Sequence, residues 1–318
     1  MSAVDSILSM LKDPNTQWIL LGCMLLGLCS GVIGCFAYLR KQSLMGDTLA
    51  HAALPGICIA FMLTGIKSIL LFLIGAGIAG LVATLGIGFI TRNSRIKPDA
   101  AMGIVLSGFF GLGIVLLTQI QHGDYGNQSG LDKFLFGQAA SMIGSDVTTM
   151  LIVCSVIIAA CTLLFKEFKL LSFDPGFARG IGYPVVLLEQ LMMFFIVVSV
   201  VVGIQAVGVV LVAALLITPA VSARYWTDRL GAMVMLSGLF GALSGVVGTW
   251  LSSTTASLPT GPLSVLASTL LFLFSLLLGP RRGLLAKQLT RIRAKRQLEQ
   301  HTAQQPVQEL AKEGGRSL

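Results

Sequence analysis

VLLEQLMMFFIVVSVVVGIQAVGVVLVAALLITPAVSA, residues 186–223, carries a single charge, Glu189. A membrane-spanning helix needs about 20 apolar residues. The run is too long for one span. Gly203 and Gly208 interrupt it and predict two spans, a sixth and a seventh, joined by a tight turn. Read as one broken helix, it leaves the chain with eight spans rather than nine.

Seven further apolar runs flank it, at 18–39, 43–65, 68–90, 100–120, 147–165, 231–251 and 262–279. Their length and lack of alternation predict helices rather than strands. The fold class is therefore an all-α polytopic membrane protein with about nine transmembrane helices, eight being the alternative. Composition agrees. The 318 residues are 55% hydrophobic and only 11% charged, against about 25% charged in an ordinary soluble domain. The reading divides the chain into an N-terminal segment 1–17, a membrane domain 18–280 and a basic tail 281–318.

The first sixteen residues, MSAVDSILSMLKDPNT, hold acidic groups and no basic n-region, so they do not read as a cleavable signal peptide. The net charge of +8 raises the question of nucleic acid. The basic residues lie instead in short loops between apolar runs and in the tail, as membrane topology requires, and no nucleic-acid partner is expected. With the N-terminus outside, 19 of the 22 Lys and Arg residues fall on the cytoplasmic side, leaving only Lys12, Lys67 and Lys133 outside. Nine spans also place the C-terminus inside. The segment 132–143 reads as a short interfacial helix. Leu285, Leu289, Ile292 and Arg296 form a stripe that suits a helix lying on the inner leaflet. Six cysteines, all inside apolar runs and without a CxxC pair, read as small apolar fillers. GxxxG spacing at Gly27/Gly31 and Gly241/Gly245 allows close helix approach, within the bundle or between copies.

Asp47 and His51 are the most informative residues. Ionisable groups inside a span cost about 2.5–3.5 kcal/mol for Asp on insertion scales, so they rarely occur without a role. Four residues apart, they share one helix face. A carboxylate oxygen and an imidazole nitrogen so placed can both reach one ion. Such donors suit Mn(II), Fe(II) or Zn(II) and not Cu(I). The competing reading is a hydrogen bond across the bundle. Pro55 and Gly56 follow directly and predict a bend that could act as a gate. In the loop 172–184, Asp174 suits an N-cap and Pro175 a first helical position, with Gly180 and Gly182 as stops, which predicts one short helix between spans five and six. Glu189 can reach the interface and carries no assigned role. The nearest approach to a phosphate-binding frame, Gly65-Ile66-Lys67-Ser68, lacks the required glycine spacing. Any ATP hydrolysis belongs to another chain.

SLMGDTLAHAALPGICIAF (43–61) resembles the signature region of the ABC-3 permeases, the membrane subunits of manganese, zinc and iron ABC importers. SFDPGFARGIG (172–182) and QAVGVVLVAALLITPAVSARYWTDRL (205–230) are similar to the same family, as is LPTGP (258–262). The resemblance runs from about residue 18 to 280. It implies a bundle like that of the cobalamin-type importers, in the bacterial cytoplasmic membrane. It implies a second permease subunit, expected as a homodimer, with cytoplasmic ABC ATPase subunits carrying the ATP and an extracytoplasmic metal-binding protein. No cofactor is held permanently. The metal is the cargo. The stretch Asp174, Pro175, Gly176, Phe177, Ala178 and Arg179 matches the helix that couples to the ATPase. Asp47 and His51 match the acidic and histidine positions of the span-two motif. Two alternatives from other classes remain. One is a gradient-driven secondary transporter using Asp47 and His51 as a relay, and the other is a non-transporting scaffold or receptor. A membrane enzyme would need more than one ionisable pair within the bilayer.

Overall fold

In lipid a backbone can satisfy its own N–H and C=O groups only internally, and each apolar run accordingly coils into a helix. The computed structural model describes residues 14–65, 69–122, 142, 144–254 and 258–288. In chain order the helices are α1 (Pro14–Leu39), α2 (Met45–Thr64), α3 (Ile69–Asn93), α4 (Pro98–His122), α5 (Gly144–Leu163), α6 (Phe165–Phe173), α7 (Pro175–Gly180), α8 (Val185–Val207), α9 (Val209–Arg224), α10 (Leu230–Thr254) and α11 (Thr260–Leu278). Among the described residues there is no strand, and eight helices are long and apolar enough to cross a membrane: α1 to α5, α8, α10 and α11.

The run 186–223 breaks at Gly208, whose φ of +90° favours glycine. A Cβ on Gly203 would collide with Val212 Cγ2, so the end of α8 and the start of α9 lie side by side and the chain doubles back. The 16 residues of α9 extend about 24 Å, short of the roughly 30 Å hydrocarbon core. This short ninth helix is encased instead: Val212, Leu215, Leu216, Ala220 and Ala223 are all buried. Among the described residues the bundle thus holds eight helices long enough to span, the alternative count, and α9 is a shorter apolar helix beside them rather than a full ninth span.

Small residues set the packing around α1. Added Cβ atoms at Gly27 and Gly31 would overlap the carbonyl oxygens of Gly241 and Ser237, and one at Gly245 that of Cys23. Gly34 meets Leu216 O of α9 in the same way. The two GxxxG motifs are therefore partners of each other, joining α1 to α10 within one chain. Ser237 Oγ closes the crossing by donating to Gly31 O at 2.6 Å. Without a hydrophobic drive between helices in lipid, such close contact and interhelical hydrogen bonds hold the bundle. All six cysteines are buried and free.

Helix ends sort by charge. Arg40, after α1, pairs with Glu189 at the start of α8. Asp228 pairs with Arg224 at 3.6 Å and Arg282 at 3.0 Å. Arg92 at the end of α3 lines a cavity with Arg40 and Pro98. These groups gather at one end of the bundle, whereas Gly144 packs beside Trp18 at the other. Residues 1–13 and 289–318 lie outside the described residues, as do all but residue 142 of the segment 132–143 read as an interfacial helix and Leu289, Ile292 and Arg296 of the tail stripe. Helix α6 is not foreseen from the apolar pattern. Its Lys166, Glu167 and Lys169 interrupt the hydropathy, while Phe168 and Leu171 are buried.

Candidate functional site

Helix α2 is encased on most of its circumference. Buried positions run from Met45 to Phe61, and one narrow stripe reaches open space. Asp47, in the first turn, and His51, in the second, lie on that stripe, with side-chain exposures of 43% and 18% in the single chain. His51 Nε2 stands 3.5 Å from Asp47 Oδ1. That is longer than an ordinary N–H···O bond of about 2.7–3.2 Å. Two donors each about 2.1 Å from a tetrahedral ion lie about 3.4 Å apart. The gap therefore matches the edge of a coordination sphere. The imidazole is oriented by packing, edge-on to Phe110 of α4 with ring centroids 4.9 Å apart and an interplanar angle of 77°. Its Nδ1 is buried with no hydrogen-bond partner among the described residues. No group of three or more His, Cys, Asp or Glu side chains able to hold a metal occurs among the described residues. The described residues thus offer two donors here.

Pro55 and Gly56 sit one to two turns beyond His51, and α2 runs through both as one helix. Gly56 meets Gly75 of α3 so closely that a Cβ on either would overlap the other's carbonyl. Leu54 and Pro55 press on Gly113 of α4, where a Cβ would be only 3.0 Å from Pro55 Cδ. Cys58 Sγ points to Gly113 O at 3.9 Å. These residues form the crossing points of α2 with its two neighbours.

The loop after α6 folds into the short helix α7. Asp174 accepts a hydrogen bond from Phe177 N at 2.8 Å, and Pro175 takes the first helical position. Gly182, at φ +90°, turns the chain toward α8. Ala178 is buried and anchors the helix, while Phe177 is 57% exposed and Phe173 and Ile181 are also exposed. Arg179 stands in the last turn. The result is a capped helical knob at the basic end of the bundle, well separated along the chain from Asp47 and His51. Sequence reasoning missed the Arg40–Glu189 pair. The partners are 149 residues apart, and neither carries a local signal.

The model of the ABC 3 transport family matches residues 12–279. The chain belongs to the ABC 3 transport family. The manganese transport system membrane protein MntC of Bacillus subtilis (strain 168) is 53% identical over 292 residues, covering 92% of this chain and 67% of that protein. The zinc transport system membrane protein TroC of Treponema pallidum (strain Nichols) is 46% identical over 283 residues, 89% of this chain and 95% of the relative. Among solved structures, PsaBC from Streptococcus pneumoniae in complex with Fab matches at a TM-score of 0.78 and 33% identity, over 88% of this chain and 98% of that chain. As a member of this ABC 3 family, the chain is the membrane permease subunit of an ABC importer, a multi-pass transport protein and not an enzyme.

Proposed function

We propose that this ABC 3 permease moves divalent transition metal ions, Mn(II), Zn(II) or Fe(II), from an extracytoplasmic binding protein to the cytoplasm, with Asp47 and His51 as the transient transport site. The observation that carries the proposal is the 3.5 Å gap between His51 Nε2 and Asp47 Oδ1 on the open stripe of α2. It is too long for a good hydrogen bond and suits two ligands of one ion. The relatives named for manganese and zinc transport support this class of cargo.

Two donors bind weakly, which suits an ion in transit. A second copy related by a two-fold axis would add its own Asp47 and His51 and complete an N2O2 set. The partly exposed pair of the single chain supports that arrangement. The basic end of the bundle faces the cytoplasm by the positive-inside rule, with the N-terminus outside and the C-terminus inside the bacterial cytoplasmic membrane. There α7, capped by Asp174 and carrying Arg179 in its last turn, offers its exposed Phe177 to a cleft on an ATPase chain that binds and hydrolyses ATP. Closure of the ATPase pair moves α7 and the adjoining α6 and α8. The crossings at Pro55 and Gly56 are where α2 then shifts against α3 and α4 to open the site.

The test is metal uptake into vesicles holding the permease, its ATPase and its binding protein. Asp47→Ala and His51→Ala are expected to fold and to co-purify with the ATPase, yet lose ATP-dependent uptake. Normal uptake by both variants would remove the site. Uptake that persists without ATP hydrolysis and follows a proton or sodium gradient would favour the secondary-transporter reading.

A further inference from the structure

A cavity of about 920 Å³ lies between α2, α3, α4 and α8. It is on the far side of α2 from the transport pair: Met45, which lines it, is two residues before Asp47 and so about 200° around the helix from it. One wall is apolar. Val82, Leu85 and Phe89 of α3 line it and are 53%, 58% and 70% exposed, so the cavity is continuous with an open apolar face of α3. The stripe follows helical spacing and ends one turn later on Arg92, a long side chain of the kind that carries its charge to the interface.

The other end is polar and only partly satisfied. Arg40 gives Nη2 to Glu189, which also lines the cavity, but its Nη1 is buried and has no acceptor among the described residues. Gln42 Oε1 is buried without a donor among the described residues. Arg92 has no ion-pair partner among the described residues. Two guanidinium groups therefore face one carboxylate, at the end of the bundle where the basic residues collect. Buried polar atoms are ordinarily paired. An apolar trough that ends in surplus positive charge and an orphaned donor is complementary to an amphiphile with an anionic head. A free anion would leave the trough unused, and a neutral lipid would leave the arginines unused. Basic pockets between membrane helices on the cytoplasmic side are a recognised place for acidic headgroups.

We propose that this cavity binds one anionic phospholipid, with its phosphodiester at Arg40 and Arg92 and an acyl chain along Val82, Leu85 and Phe89. The site is separate from the metal pair.

The full transporter complex, extracted from vesicles of mixed phosphatidylglycerol and phosphatidylcholine, tests this by native mass spectrometry of retained lipid. The wild type is expected to keep phosphatidylglycerol in preference to phosphatidylcholine. Arg92→Gln should weaken phosphatidylglycerol retention about fivefold, the effect of one basic residue at a lipid surface. Gly88 also lines the cavity, and a Cβ there meets nothing within 4 Å. Gly88→Leu should therefore fill the space and lower retention of both lipids without altering any charge. Neither variant touches the α1–α10 crossing, so their unfolding midpoints in lipid-free detergent should match the wild type. Equal retention of the two lipids by the wild type, or unchanged phosphatidylglycerol retention in both variants, would overturn the proposal. Displacement of the lipid by excess inorganic phosphate would reassign the site to a soluble anion.

Discussion

Two sets of glycines show how one residue type serves opposite sides of this bundle. On α1, Gly27, Gly31 and Gly34 each lie where an added Cβ would strike a backbone carbonyl of α10 or α9. On α4, Gly103, Gly108 and Gly111 meet nothing within 4 Å. The first set is required by contact: helix axes approach until only hydrogen fits, and the gain is van der Waals packing where lipid offers no hydrophobic drive. The second set lies at open positions of α4, where no neighbouring helix approaches. The transport pair lies between these extremes, on the one open stripe of an otherwise encased α2.

The largest effect should come from Gly27→Leu. The new side chain must displace the α10 backbone, and overpacking typically costs about 1–3 kcal/mol, with the upper end expected where backbone has to move. A calorimetric or fluorescence melt in detergent is expected to show a marked loss of stability or no folded protein. A wild-type midpoint would mean that the crossing is looser than described. Ser237→Ala tests the same crossing more gently. It removes the 2.6 Å bond to Gly31 O, and interhelical hydrogen bonds in membranes average about 0.6 kcal/mol, so a small fall in midpoint is expected. The smallest effect belongs to Gly111→Leu on the open side. Substitutions at unpacked positions usually stay within about 0.5 kcal/mol, so its midpoint should not move. A loss comparable to that of Gly27→Leu would erase the contrast between the two faces.

Much of this was legible in the sequence for a plain reason. A helix that crosses lipid must be apolar for its whole length, so hydropathy marks each span, and Gly208 marks the reversal inside 186–223. The α7 helix was legible because its signals are local: Asp174 caps and Pro175 starts within four residues. Helix α6 was not, because an amphipathic helix of 9 residues mixes Lys166, Glu167 and Lys169 with Phe168 and Leu171 and has no apolar run. The spacing of Gly27/Gly31 and Gly241/Gly245 announced close approach, but only the fold shows that they meet each other. The Arg40–Glu189 pair and the cavity beside it depend on tertiary placement alone. For Asp47 and His51 the sequence gives the shared face, and the fold adds the separation, the open stripe and the Phe110 contact that orients the ring.

The central claim is that both side chains ligate the transported ion. Pulsed electron paramagnetic resonance of Mn(II) bound to the assembled transporter reads imidazole ligation directly through nitrogen coupling. The wild type is predicted to show that coupling and His51→Ala to lack it. A wild-type spectrum without nitrogen coupling, or the same coupling in His51→Ala, would contradict the account.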